Sequence, residues 1–207
     1  MELDHTWFTE RALSKMSLSP ADCILDLGCG EGWSCRLMAA RSLCRVVGLD
    51  VSDEMVRRAQ TESRRFGGVA FLCGSAEHIP CRDSVFTKVL SVSAFYYFER
   101  QENVLKELFR AVAPGGQLFI LLGLYQGLPD WRDSARKLRV PTHVCSADEY
   151  KSMLRVTGWI DVEAEEFVQE CQPGLKSGGH ERALFISAHR PALERAMVHS
   201  SQDRTAE

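Results

Sequence analysis

From Ile24 to Trp33 the chain reads ILDLGCGEGW, an apolar lead followed by glycines at every second position, Gly28, Gly30 and Gly32. Glycines so placed let the backbone turn sharply and let a ligand lie almost against the main chain. Asp26 precedes the first glycine, Cys29 and Glu31 fall between them, and no Lys or Arg occurs from Ile24 to Cys35. A dinucleotide site wants G-x-G-x-x-G, whose third glycine admits close packing beside a pyrophosphate. Here Trp33 takes that third place, and a pyrophosphate would meet carboxylates with no counter-charge. A cationic adenosine derivative would meet partners instead. A purely structural strand-to-helix turn could carry the same glycines, so residues further along must decide.

Asp50 ends the next apolar run, about 20 residues on, where an acid can accept both ribose hydroxyls of an adenosine. Each such bond is worth on the order of 1.5–3 kcal/mol. Val51 is expected on the adenine face, with core filler as its alternative. Ser75-Ala76-Glu77 should edge the ring, the Ala76 amide serving a ring nitrogen and Ser75 the exocyclic amine; plain turn residues are the alternative for Ser75 and Glu77. Ser91, Val92 and Ser93 end a further apolar run beside the expected sulfonium of S-adenosylmethionine. Of the tyrosines that follow, Tyr96 is favoured over Tyr97 to face the cavity, where a ring adds roughly 0.5–2 kcal/mol by cation–π attraction. Phe95 and Phe98 should fill core. Trp7, Tyr125 and His143 lie in the two segments expected to close the site. His143 is the candidate for a substrate contact or a general base, with a structural histidine as its equal rival.

These residues need elements to hold them. Helical spacing of Trp7, Phe8, Ala12, Leu13 and Met16 predicts a helix over 4–17. Strands are expected near 23–27, 44–49, 69–73, 86–92 and 117–122, separated mostly by helices. Ser52 is a natural N-cap, and Ser146 with Glu149 forms a capping box. Val104, Leu105, Leu108, Phe109 and Val112 share a helix face that Pro114-Gly115-Gly116 should terminate. The last two strands, 160–168 and 183–188, are joined without a helix, so the final one should run antiparallel. Alternating strands and helices predict an α/β fold with helices on both faces of a mostly parallel sheet. One domain over 1–190 is expected, with 1–20 closing the site, 124–145 covering the substrate, and a polar tail over 191–207.

With 45% hydrophobic residues, 26% charged residues and a net charge of −3, the composition offers no basic field for nucleic acid or an anionic membrane. Arg132, Arg136, Lys137 and Arg139 read as a solvated face. The N-terminus has neither the basic nor the apolar region of a secretory signal. Eight cysteines form no C-x-x-C and no zinc spacing, which suits reduced thiols in the cytoplasm and no metal.

Taken together, ILDLGCGEG, GLDVS, GSAEHIP, VLKELFRAVAPGGQLFI and the pair TGWIDVEAEEF and ALFISAHRP resemble the motifs of class I S-adenosylmethionine-dependent methyltransferases of the small-molecule kind. The resemblance covers about residues 7–190. It implies a Rossmann-like three-layer sandwich whose seven strands run in the order 3-2-1-4-5-7-6. It also implies that Asp26, Gly28, Gly30 and Gly32 line the methionine end, Asp50 the ribose, and Ser75-Ala76 the adenine. Ser75 departs from the family's usual Asp, and the tyrosine pair stands where relatives often carry histidines. The expected activity is in-line transfer of a methyl group to a small molecule (the EC 2.1.1 class), releasing S-adenosylhomocysteine, by a monomer or homodimer. A non-catalytic sensor or scaffold and a metalloid methyltransferase are the alternatives.

Overall fold

The computed structural model describes residues 5–170 and 180–192. Residues 1–4, Cys171 and most of the expected tail lie outside that range. The described chain runs α1 (His5–Lys15), β1 (Cys23–Leu27), α2 (Trp33–Ser42), β2 (Arg45–Asp50), α3 (Asp53–Glu62), β3 (Val69–Cys73) and β4 (Phe86–Val92). A single 3-10 turn (Phe95–Tyr97) follows, then α4 (Gln101–Ala111), β5 (Val112–Leu122), α5 (Trp131–Lys137), α6 (Ala147–Val156), β6 (Ile160–Glu170) and β7 (His180–His189).

The strands form one sheet in the order β3-β2-β1-β4-β5-β7-β6, as the resemblance implied. β1 to β5 pair in parallel, and β7 runs antiparallel to both β5 and β6. Strand alternation divides the core between the two faces. Ile24 points with Val46, Leu90 and Phe119 toward α1 and α2, meeting Phe8, Met16 and Met38. Leu25 and Leu27 point the other way, with Val89 and Ile120, onto Val104, Leu108 and Leu154 of α4 and α6. Asp26, two residues from Ile24, is therefore aimed toward α2.

Both expected caps form. The Ser52 hydroxyl accepts from the Met55 amide at 3.3 Å, and Ser146 and Glu149 satisfy each other's amides. One expectation changes. Pro114-Gly115-Gly116 does not end α4, because the helix stops at Ala111 and β5 has already begun at Val112. Phe86 pairs with Val112 but Lys88 with Gln117, so the extra residues bulge out of the ladder. Pro114 cannot donate to a ladder and Gly115 sits at φ 78°, which suits both to a bulge.

The chain leaves β1 toward β2 and β3, then returns to place β4 on the other side of β1. Such a reversal opens a crevice at the strands' carboxyl ends.

Candidate adenosyl-ligand site

The turn after β1 is bound to its neighbour strand. Amides of Gly28 and Cys29 both donate to the Leu49 carbonyl, at 2.8 and 3.1 Å. Gly28 and Gly32 each sit at φ 74°, the left-handed region that side chains resist. Space makes the same demand. A Cβ on Gly28 would lie 2.3 Å from the Ala94 methyl, and one on Gly32 would lie 2.6 Å from the Phe71 ring.

Asp50 ends β2 beside this turn. Its Oδ2 accepts from the Gly30 amide at 2.9 Å, and its Oδ1 from the Ser52 amide at 2.9 Å. Each carboxylate oxygen keeps a further lone pair. Asp50 lines a cavity of about 280 Å³ at the crevice, near the small end of ligand pockets. Around it stand Leu27, Gly28, Leu49, Val51, Gly74 and Ala76. Val92, Ser93, Ala94, Tyr97 and Phe98 complete the wall.

The other two acids near the turn are engaged elsewhere. Asp26 is buried and its Oδ2 accepts from the Ser34 hydroxyl and from the Cys35 thiol, 3.0 Å away. Burial pushes its carboxyl up, Asp50's charge adds to this, and those two bonds only partly offset it. Cys35, fully buried, is likewise held protonated, first by burial and then by Cys29 and Asp26. Glu31 pairs with Arg58 at 2.9 Å. The absence of Lys and Arg from the loop does not leave Glu31 unbalanced, because α3 brings a guanidinium from 27 positions away. Of these acids, Asp50 is the one that lines the cavity.

Gly28, Asp50, Val51, Ala76 and Val92 from the sequence reading come together in the wall. Val51 is 78% exposed there, bare apolar surface at a rim where an adenine face would cover it. Cys29, Gly30 and Gly32 build the adjoining turn. Other expected residues are placed differently. Ser91 is buried, its hydroxyl donating to the Leu27 carbonyl at 3.0 Å and so tying β4 to β1. The Ser75 hydroxyl accepts from the Glu77 amide at 3.2 Å, while Glu77 pairs with Arg100 at 3.1 Å. The 3-10 turn sends Tyr96 inward and Tyr97 to the cavity, reversing the expected choice, and Phe98 lines the wall rather than only filling core.

Tyr125 is buried with its hydroxyl donating to Glu166 at 2.6 Å, outside the wall. Trp7 packs among the α1 side chains, edge-on to Phe8 at 4.9 Å. His143 is tied to the site through its backbone, its amide donating to the Tyr96 carbonyl at 2.7 Å. Sequence reasoning singled out neither Leu27, Leu49 nor Ala94. Apolar strand ends look like core until the topology places the crevice at them. Ser93, a non-glycine residue at φ 50°, marks the turn that sets Ala94 against Gly28.

Residues 25–120, which hold the glycine turn, Asp50 and most of the cavity wall, match the family model described as a methyltransferase domain. Over this stretch, somewhat under half of the chain, the sequence is similar to that methyltransferase domain. It is 28% identical to 27-O-demethylrifamycin SV methyltransferase of Amycolatopsis mediterranei, over 81% of this chain and 65% of that one. It is 33% identical to 24-methylenesterol C-methyltransferase 2 of Oryza sativa, over 52% of this chain and 30% of the relative. The chain thus spans less than two thirds of the length of either relative. Among solved structures, the methyltransferase of a Haloferax volcanii complex with the Trm112 methyltransferase activator shares the fold with a TM-score of 0.79 at 24% identity, covering 91% and 90% of the two chains. A Haemonchus contortus phosphoethanolamine N-methyltransferase 2, solved with phosphomonomethylethanolamine and S-adenosylhomocysteine, shares it with a TM-score of 0.74 at 19% identity, over 88% of this chain and 52% of that one.

Proposed function

We propose that this chain, acting as one domain over residues 1–190, transfers the methyl group of S-adenosylmethionine to a small-molecule acceptor. The observation that carries the reading is Asp50, held by two backbone amides in the wall of a cavity that Gly28 of the glycine turn also lines. When bound, S-adenosylmethionine supplies an electrophilic methyl carbon on a sulfonium centre. The chain's own work is to bind, orient and dry. The free lone pairs of Asp50 accept the ribose hydroxyls. Val51 and Ala76 flank the adenine, and Gly28 and Gly30 let the methionine end approach the backbone. Leu27, Leu49, Val92 and Ala94 exclude water, and Tyr97 presents its ring toward the positive charge. Alignment of two bound reactants can contribute roughly 7–11 kcal/mol to the rate, so positioning should dominate.

His143 is retained as the candidate base for acceptors that must lose a proton, since its backbone bond to Tyr96 keeps it beside the aromatic wall. Among the described residues no group of His, Cys, Asp and Glu is placed to hold a metal ion, and no cysteine lines the cavity. No described helix is long and apolar enough to cross a membrane. A cytoplasmic monomer or homodimer with no nucleic-acid or membrane partner completes the reading. The test is a coupled assay for S-adenosylhomocysteine over a panel of hydroxylated, amine, thiol and sterol-like acceptors. Turnover on at least one of these is the expected result. Tight binding with no turnover on any would instead support a sensor.

A further inference from the structure

Gln101, the first residue of α4, is 5% exposed and directs its amide at two separate pieces of backbone. Its Nε2 donates to the Phe95 carbonyl at 3.1 Å and to the His143 carbonyl at 2.8 Å. Its Oε1 accepts from the Cys145 thiol at 3.6 Å. A primary amide has two N–H donors, and here each reaches a different segment. One is the 3-10 turn whose Tyr97, with Phe98 after it, lines the cavity. The other is the end of the 124–145 segment.

The same two segments are joined again where the His143 amide donates to the Tyr96 carbonyl at 2.7 Å. Gln126 closes the segment on itself, its amide reaching the Cys145 carbonyl at 3.1 Å and its side chain the Val144 carbonyl at 2.8 Å. The end of the segment from Gln126 to Cys145 therefore meets the turn that carries the aromatic wall at a short hydrogen-bonded seam with Gln101 at its centre. Among the described residues, no hydrogen bond joins Asp50, Val51 or the glycine turn to that seam.

We propose that Gln101 is a positioning residue that sets the register of the 126–145 segment against the turn that carries Tyr97, and so shapes the acceptor side of the site. This rests on the reading of the cavity given under Proposed function. A side chain lacking both donors would take the His143 carbonyl's bond away and leave the Phe95 carbonyl with the Phe98 amide at 3.2 Å, and a polar group that loses its partner is costly to bury. The seam should then open locally rather than the fold being lost.

The experiment is amide hydrogen exchange by mass spectrometry on the whole chain, with Gln101→Met and Gln101→Glu beside the unaltered protein, together with calorimetry against S-adenosylhomocysteine. In Gln101→Met, exchange in peptides covering 95–98 and 126–145 should accelerate at least about tenfold, which corresponds to about 1.4 kcal/mol of local opening. Peptides of β1, β2 and the glycine turn should be unchanged, and the nucleoside's dissociation constant should stay within about twofold. In Gln101→Glu the introduced carboxyl regains one donor when protonated, so protection of 126–145 should return on acidification, a pH profile the unaltered protein lacks. Unchanged exchange at 126–145 in both variants would overturn the proposal. So would acceleration spread evenly over the sheet, which marks a general stabilising role. Failure of the unaltered protein to bind the nucleoside would instead strike the functional reading, leaving the exchange result to judge Gln101 by itself.

Discussion

The amide of Gly30 donates to Oδ2 of Asp50 across 2.9 Å, so the middle of the glycine turn and the acid that ends β2 form one unit. The bond orients the carboxylate toward the crevice before any ligand arrives. A preset geometry lowers the ordering cost of binding. It also means that a change at either residue should be felt at the other.

Gly28→Ala should destabilise the fold by more than about 1–3 kcal/mol, because it combines overpacking with a left-handed backbone. The added methyl would sit 2.3 Å from the Ala94 Cβ. Urea denaturation of Gly28→Ala beside Gly28→Ala/Ala94→Gly checks this. The second change should recover only part of the loss, since it removes the contact and leaves φ as it was.

Tyr97→Leu should weaken S-adenosylmethionine binding by roughly 0.5–2 kcal/mol and S-adenosylhomocysteine binding by less, since only the former carries the sulfonium charge. Tyr96→Phe should leave both affinities unchanged, its ring being buried. Calorimetry with the two ligands decides the matter. Equal losses for both ligands in Tyr97→Leu would remove the cation–π assignment.

Asp26→Asn should separate the buried acid from the ligand-facing one. Burial first, then Asp50's charge, raises the Asp26 carboxyl above its ordinary 3.8 despite the Ser34 and Cys35 bonds. A raised acid contributes stability that is present below about pH 3.8 and lost as pH climbs through the folded value. The asparagine cannot ionise, so the variant should gain stability relative to the native chain as pH rises from about 4 toward neutrality. Affinity for S-adenosylhomocysteine should change less than about threefold. Thermal melts across that pH range provide the measurement.

At the opposite end of the sheet, Lys88→Met should cost about 3–5 kcal/mol, because it strands a buried carboxylate. Lys88 reaches both oxygens of Asp22, at 2.7 and 2.8 Å. Burial pushes the Asp22 carboxyl up, but bonds from Lys88, Thr87 and the Ser19 amide outweigh it and hold the group below 3.8. Its contribution is therefore present above about pH 3.8 and lost as pH falls through the lower folded value. Adding Asp22→Asn to Lys88→Met should recover most of the loss and flatten that acid limb.

The glycine turn, Asp50 and Val51 were legible in the sequence because local chemistry dictates them. A tight turn needs glycine, and an acid at a strand's end has few other uses. The strand order was legible through the family resemblance. What could not be read depended on contacts across the chain. Arg58 reaches Glu31 from 27 residues away, so a charge count over the loop alone misjudged its balance. The choice between Tyr96 and Tyr97 turned on a single 3-10 turn, where one residue of phase exchanges core for cavity. Asp26 looked like a ligand contact until strand alternation placed it under α2. Gln101 carries no motif at all, and its role exists only where α4, the turn at Phe95–Tyr97 and residues 143–145 meet.

The most direct test of the central claim is calorimetric titration of the folded chain with S-adenosylhomocysteine, repeated with Asp50→Ala. We expect saturable binding at one site that Asp50→Ala weakens at least about tenfold, or 1.4 kcal/mol. An unchanged dissociation constant in a folded Asp50→Ala chain would contradict the account, as would no binding by the unaltered protein at millimolar nucleoside.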